Sequence, residues 1–502
     1  MSQRSSDRDH PYDSRTLFSR RQLLQSTGLG FGSLALSSLL RDESLPKASA
    51  ASNDLEARPA HFPAPAKAVI QLMQVGGPSQ MDLFDPKPEL TRFHARPYAK
   101  KIDKHFRERK EVTLLGSPFE FQRWGRCGME LAEILPHLGG VADDLCLVRS
   151  MFTEHNNHGE GLFMIQTGKI FPGRPVMGSW ISYALGSENQ NLPAYIVLRD
   201  PSGYATMGKT LWSSGWLSQV YQGTEFHSEG SPVHDLAPSR PLPPGARRRS
   251  LNLLAKMNAE HRRRHPGEAA LEARIANYEL AARMQLAATD VMDVSEESAA
   301  TKTLYGLDDP LTAGYGTRCL MARRLVEAGV RFIQVFPPNR RAPGNESPQP
   351  WDHHAWIRIG LETTCGDTDQ PAAALIRDLK QRGLLDSTIV MWTGEFGRLP
   401  ISQGALHDRS GRDHNRHAFS TLLAGGGFKG GLTYGETDEF GYKSVVNRVS
   451  VPDLHATMLQ ALGLDHERVT YPHNGADESL TDARVTDARV VTALLNASAR
   501  KA

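Results

Sequence analysis

The sequence predicts an α/β protein: a mostly parallel sheet flanked by helices on both faces, with a helical insertion. Three observations predict it. Six short, nearly continuous apolar runs recur along the chain, as strands covered on both faces require. Helical patterns precede several of them, as in alternating α/β units. Clusters of His, Asp, Glu, Arg and Asn lie near the ends of the runs, and open parallel sheets bind ligands beyond the carboxyl ends of their strands.

The composition narrows the class. The 502 residues carry 58 Lys and Arg against 56 Asp and Glu, a formal charge of +2 that argues against a dedicated nucleic-acid binder. With 39% hydrophobic and 23% charged residues, the balance is that of a folded chain rather than a disordered one. Cys127, Cys146, Cys319 and Cys365 form no C-x-x-C, so neither a zinc ribbon nor a disulfide-dense scaffold is expected, while one or two disulfides stay open. Beyond residue 50 no stretch is apolar for the roughly 20 residues a membrane helix needs, so stable membrane insertion is not expected.

The first 50 residues read as a twin-arginine export signal. A polar stretch to residue 18 leads to Arg20 and Arg21, a mildly apolar run reaches Leu40, and Ala48-Ser49-Ala50 supplies a small-x-small cleavage pattern. A periplasmic or secreted protein is expected, beginning near Ala51. Residues 51–66, rich in Ala and Pro, form a linker, and one α/β domain is expected over 67–502.

Within that domain the apolar run Lys67 to Val75 is the first strand, followed by runs at Leu145 to Val148, Ala194 to Leu198, Val330 to Phe336, Thr388 to Trp392 and Phe419 to Leu423. Helical patterns are expected at Met129 to Leu138, Leu320 to Ala328 and Ala372 to Arg382, the last broken by Gly383. From about 247 to 303 the pattern becomes a long charged helical stretch without strand signal. Its Arg247–Arg249 and Arg262–Arg264 clusters could form a polyanion patch, but charged helix faces are usually solvated, which is the reading favoured here. Val451 to Leu462 is a helix entered through Pro452, and the last 20 or so residues are expected to be helical.

Several clusters could carry chemistry. Asp352 and His354 are two apart, which in an extended segment puts both side chains on one side. With a distant imidazole such as His414 they make an O/N set suited to zinc, manganese or iron with positions left open. Asp82, Glu395 and Asp413, also near strand ends, strengthen that reading over a loop hydrogen-bond pair. His155 and His158 flank Asn156 and Asn157, and could be ligands, phosphate donors, a nucleophile or an Asn-rich capping turn; spacing does not choose. Arg398 could clamp an anion or pair with Glu395 or Asp408. Ser79 is a nucleophile candidate whose plainer role is a cap, and Trp212 and Trp216 read as packing rather than as a sugar platform.

The ordered set Gly76-Gly77-Pro78-Ser79-x-x-Asp82, Asn157-His158-Gly159 through Thr167-Gly168, Trp351-Asp352-His353-His354, Thr393-Gly394-Glu395-Phe396-Gly397-Arg398 and Gly411-Arg412-Asp413-His414-Asn415 resembles an uncharacterised family of secreted proteins abundant in planctomycetes. That family is placed in the alkaline phosphatase and sulfatase superfamily, and the resemblance runs from about Lys67 to Leu464. It implies an alkaline-phosphatase-like sheet and hydrolysis of phosphate or sulfate esters with bound metal, zinc first and manganese, iron or calcium as alternatives, in one or two ions. The substrate implied is a small anionic ester or a sulfated glycan. Residue by residue, Asp352, His354 and His414 would hold one metal, and Asp82 and Glu395 a second. Asn157 and His158 fall at the nucleophile position, and Arg398 would stabilise the anion.

The departures from that pattern are specific. Phe396 stands where an imidazole ligand would, and no C-x-(P/A)-x-R sulfatase signature occurs, the nearest approach being Cys319-Leu320-Met321-Ala322-Arg323. They open the alternative of a binding protein with a degenerate site on the same fold.

Overall fold

The computed structural model describes residues 55–98, 112–233, 245–265, 269–341, 347 and 349–500. The export signal expected at 1–50 lies outside the described residues, as do the first four residues of the 51–66 linker. In chain order the strands that build the frame are β1 (Ala68–Met73), β2 (Leu145–Phe152), β3 (Tyr195–Leu198), β4 (Thr224–Glu225), β5 (Phe332–Val335) and β6 (Thr388–Thr393). The hairpin pair β7 (Gly397–Ser402) and β8 (Arg412–Asn415) follows, then β9 (Phe419–Ala424), β10 (Leu432–Tyr434) and β11 (Val449–Ser450).

Nine of these strands form one sheet in the order β10-β2-β9-β6-β1-β5-β3-β4, with β11 also paired to β2. Every pairing is parallel except the two made by β9, which runs antiparallel to β2 and to β6. β1 lies at the centre, Val69 facing Phe332 on one side and Ile389 on the other, and all six of its residues are buried. This is why its sequence is a continuous apolar run: a strand with helices over both faces has no solvent side on which to alternate.

The antiparallel strand has a consequence for the site. Parallel strands deliver the residues that follow them to one edge of the sheet, whereas β9 delivers the residues that precede it to that same edge. The loops after β1, β2 and β6 therefore meet the β7–β8 hairpin, which precedes β9. Around this frame pack helices His158–Thr167, Met177–Leu185, Ala313–Glu327, Ile357–Gln381 and Val451–Ala461. The last starts with a capping box in which Ser450 and Asp453 satisfy each other's backbone N–H groups, with Pro452 in the first turn.

Two of the expected elements are corrected. Met129 to Leu138 is not a helix: Met129–Ala132 pairs antiparallel with Phe121–Trp124 across a turn whose Gly125 and Gly128 take positive φ, and only Pro136–Gly139 is helical. Proline is tolerated at the start of a helix and costly in its interior, and Pro136 here opens the short helix, so the apolar spacing that suggested a longer one is broken there. The C-terminal stretch is likewise not one helix. It holds single turns at Ala483–Thr486, Thr492–Leu494 and Ala497–Ala499, and Asp482 and Asp487 bracket the first in left-handed backbone. All four cysteines are free. Trp212 is buried against Phe336 and Trp216 stacks on His473, so both pack.

In the charged segment, Ala246–Arg264 and Ala269–Met292 are helices. The second buries Ala273, Ile275, Leu280, Met284, Ala288 and Met292. Among the described residues, no helix is long and apolar enough to cross a membrane.

Helix Ile357–Gln381 also holds a distant turn in place. The carboxylate of Asp369 accepts the otherwise unpaired N–H groups of His137 and Leu138, at 2.8 and 2.9 Å, at the start of Pro136–Gly139. Burial raises the Asp369 carboxyl and outweighs those two hydrogen bonds, pushing its pKa up to about 7. An acid whose folded pKa is raised binds its proton more tightly in the folded state, so this contribution to stability is present below about 4 and lost as pH rises through about 7. Asp369→Asn should flatten that slope, as read from urea midpoints across the range.

Candidate metal centre

Four loops converge on one point. Gly76 ends the turn after β1 with φ +120°, and a Cβ there would lie 2.6 Å from the Asp352 nitrogen, so only glycine lets the two chains approach. His158 opens its helix directly after the loop from β2, and its ring reaches Asp352 and Glu395. Asp352 and His354 sit on a short loop laced to the residues before β8: Trp356 N–H donates to Arg409 O at 2.8 Å and Arg412 N–H to His353 O at 3.0 Å. In the hairpin, His414 faces Arg398 across the strands.

The result is a cluster of His158, Asp352, His354 and His414, each offering one ligand atom within 4.8 Å of all the others. The Nε2 atoms of His354 and His414 lie 3.0 and 3.1 Å from Asp352 Oδ1, and that of His158 lies 3.1 Å from Oδ2. Donors bound at about 2 Å around a tetrahedral metal are roughly 3.3 Å apart, so these separations fit a shared cation.

The tautomers strengthen the fit. His158 Nδ1–H donates to Glu395 Oε1 at 2.7 Å, and His414 Nδ1–H donates to the Asn156 carbonyl at 2.7 Å. Second partners of this kind are what orient metal-binding imidazoles. Burial holds His414 neutral, its pKa well below the usual histidine value despite Asp352, and its Nε2 lies 3.1 Å from Asp352 Oδ1. The buried Nε2 of His158 has no aligned hydrogen-bond partner, although Asp352 Oδ2 is close. An imidazole-rich set of this kind suits a transition metal better than calcium, which takes oxygen ligands.

Asp352 is the hub. Burial opposes its charge, but Arg398 and the three imidazoles hold its carboxyl far below the usual range. Arg398 is fully buried and gives Nη2 to Asp352 Oδ1 at 2.6 Å, Nε to Gly77 O and Nη1 to Arg412 O, with Gly76 O also in contact. Its guanidinium is therefore occupied inside the protein, and the expectation that it clamps a substrate anion is corrected to a role in holding Asp352.

The other expected residues divide. Asp82 is fully buried in a bidentate pair with Arg412, Oδ2 to Nε at 2.6 Å and Oδ1 to Nη2 at 2.8 Å, and it also accepts from Ser79 Oγ at 2.5 Å. Glu395 bridges His158 and the Gly76 N–H, so it backs the cluster instead of standing inside it. Asn157 precedes the helix and turns its amide to Glu160. His353 packs on Gly360 and touches Thr364, and burial pushes its pKa down to about 3.

Two contributors escaped sequence reasoning. The Phe396 ring packs 4.5 Å from the His414 ring and 5.0 Å from that of His158, forming an apolar wall where the motif alone suggested only a missing ligand. The Asn156 carbonyl was invisible because any residue type supplies one. Cys319 is buried in helix Ala313–Glu327, away from any reactive role.

A family model described as "Protein of unknown function (DUF1501)" matches residues 66–495. Comparison with curated proteins finds no match. Among solved structures the chain is similar to a protein in the alkaline phosphatase superfamily from Vibrio parahaemolyticus, at 11% identity, covering 82% of this chain and 71% of that one with a TM-score of 0.34. It is also similar to a sulfatase from Pseudoalteromonas sp. (11% identity, 80% and 68% covered, TM-score 0.35) and to alkaline phosphatase from the Antarctic bacterium TAB5 (10% identity, 80% and 98% covered, TM-score 0.32).

Metal analysis of purified protein should find a transition metal that is lost in the Asp352→Ala/His414→Ala double variant. Glu395→Gln should keep the fold and weaken metal affinity about 10- to 100-fold. Burial disfavours the His158 imidazolium, but Asp352 and Glu395 outweigh it and push its pKa up to about 9 in the metal-free protein. A proton must then leave before Nε2 can bind, so affinity should climb about tenfold per pH unit toward 9 and level off above, as measured by chelator competition.

Proposed function

The chain belongs to the DUF1501 family, and we propose that it is an exported, metal-dependent hydrolase of phosphate or sulfate esters. The observation that carries this reading is the convergence of three imidazole Nε2 atoms on the buried Asp352 carboxylate. His158, Asp352, His354 and His414 would hold one transition metal, zinc by the preference of such a set, supplying a Lewis acid that neutralises charge developing on the ester oxygens. The substrate class comes from the motif resemblance, and the twin-arginine pattern at Arg20 and Arg21 supports export to the periplasm or beyond.

The chain's own residues would divide the work. Glu395 and the Asn156 carbonyl keep protons on Nδ1 of His158 and His414, so their Nε2 lone pairs stay turned inward. Phe396 keeps water from the side between those rings. His354, with its side chain 27% exposed, marks the side open to an ester. Ser79 is buried and committed to Asp82, and both nitrogens of His158 are engaged in the cluster, so water is the nucleophile in this reading. One water adds across the P–O or S–O bond and releases an alcohol with phosphate or sulfate.

A second reading is favoured by one observation: Arg398 is turned inward, leaving the cluster without that cation for a substrate anion. On this reading the protein binds its ligand without turnover. Aryl phosphate and aryl sulfate assays separate the two. The first reading expects hydrolysis that falls about a hundredfold or more in Asp352→Asn and on metal removal, and that returns when metal is restored. Full activity in the metal-stripped protein would overturn it.

A further inference from the structure

The helix Ala246–Arg264 stands apart from the site and is exposed along most of its length. Its apolar side chains are not covered: Leu253 and Met257 are each 60% exposed, Leu254 44% and Leu251 37%. At about 100° per residue these four fall within an arc of about 160°, which His261 and Arg264 enter in the last turn, and the exposed Arg249, Lys256 and Arg263, seven residues apart, fall in the complementary arc. Within the helix seven Lys and Arg face a single acid, Glu260, which pairs with Arg263 and Arg264.

The placement of the charges also matters. Arginines in the last turn complement the negative end of the helix dipole, but residues 247–249 put three more in the first turn, where the dipole is positive and the turn holds no acid. Helix stability does not account for basic residues at that end.

We infer that this helix is an interfacial element that lays its leucine and methionine side onto an anionic lipid surface. Apolar side chains entering the boundary between headgroups and acyl chains, flanked by Lys and Arg that pair with the headgroups, is the arrangement such helices use. At 19 residues it is about 28 Å long and lies on a bilayer rather than spanning it, consistent with the lack of any membrane-crossing helix among the described residues. Charge argues against the other occupants. A second copy would bring two helices close together that each carry seven Lys and Arg against one acid, and residues 1–54, with seven Lys and Arg against six Asp and Glu, carry no anionic excess to offer. A soluble polyanion would satisfy the arginines but leave the leucines exposed.

The test is co-sedimentation of the full chain with vesicles of phosphatidylcholine alone or mixed with phosphatidylglycerol. The expected result is binding to the mixed vesicles only, falling at least about tenfold in Leu254→Glu/Met257→Glu and equally in Arg249→Glu/Lys256→Glu. The N-terminal 54 residues are the same in every sample, so they cannot produce the difference. Because the substituted positions are exposed, melting temperature and metal content should match the parent protein, and Leu253→Glu serves the same arm if the apolar double variant proves unstable. No binding to mixed vesicles overturns the proposal. Loss in the charge variant with full binding in the apolar variant overturns it in favour of a polyanion surface. A dimer that dissociates in the apolar variant, with lipid binding unchanged, overturns it in favour of self-association.

Discussion

A single carboxylate, that of Asp352, holds the centre of this molecule together, because so much charge has been buried around it. Arg398 neutralises it from the protein side at 2.6 Å, and three imidazoles approach it from the other. Removing a buried charge from water is costly, and a partner left alone after its opposite is deleted is costlier still. The surroundings are therefore committed to this residue: Gly76 must be glycine for the chains to meet, Arg398 must be buried, and the hairpin must be paired in the register that sets His414 across from Arg398.

A second buried ion pair supports the first. Asp82 and Arg412 are both fully buried, and Arg412 is in the same hairpin strand as His414. The turn after β1 is thereby tied to the strand that carries a ligand, while Ser79 and Gln80 add further bonds from that turn, Gln80 to the backbone of Arg398. Residues that read as ligands and catalysts in a linear motif thus serve as the frame that keeps the imidazoles in place. The candidate ligands are four side chains, and the rigidity lies in their neighbours.

The exposed basic helix belongs to a different scale of organisation. It contributes little to the core and nothing to the cluster, and its composition is unsuited to either. The metal cluster and the helix can be altered independently, since no residue is shared between them.

The sequence by itself determined the class of the fold and the positions of its main strands. Apolar runs such as Ala68–Met73 and Thr388–Thr393 fit strands covered on both faces, and that burial leaves its mark directly in the residue order. It also brought Asp352, His354, His414 and His158 forward as candidates, because imidazoles and carboxylates near strand ends have few other reasons to gather. Their division of labour was decided only by the tertiary structure. Whether Glu395 or His158 stands inside the cluster, whether Arg398 faces a ligand or Asp352, and whether Phe396 is a lost ligand or a wall depend on contacts between residues hundreds of positions apart. The strand at Met129–Ala132 was decided in the same way, by its partner across a glycine turn. Local pattern records how a segment meets water or the core; which groups meet each other is set by the antiparallel β9, which turns a loop near the end of the chain back to the edge where the first strand ends.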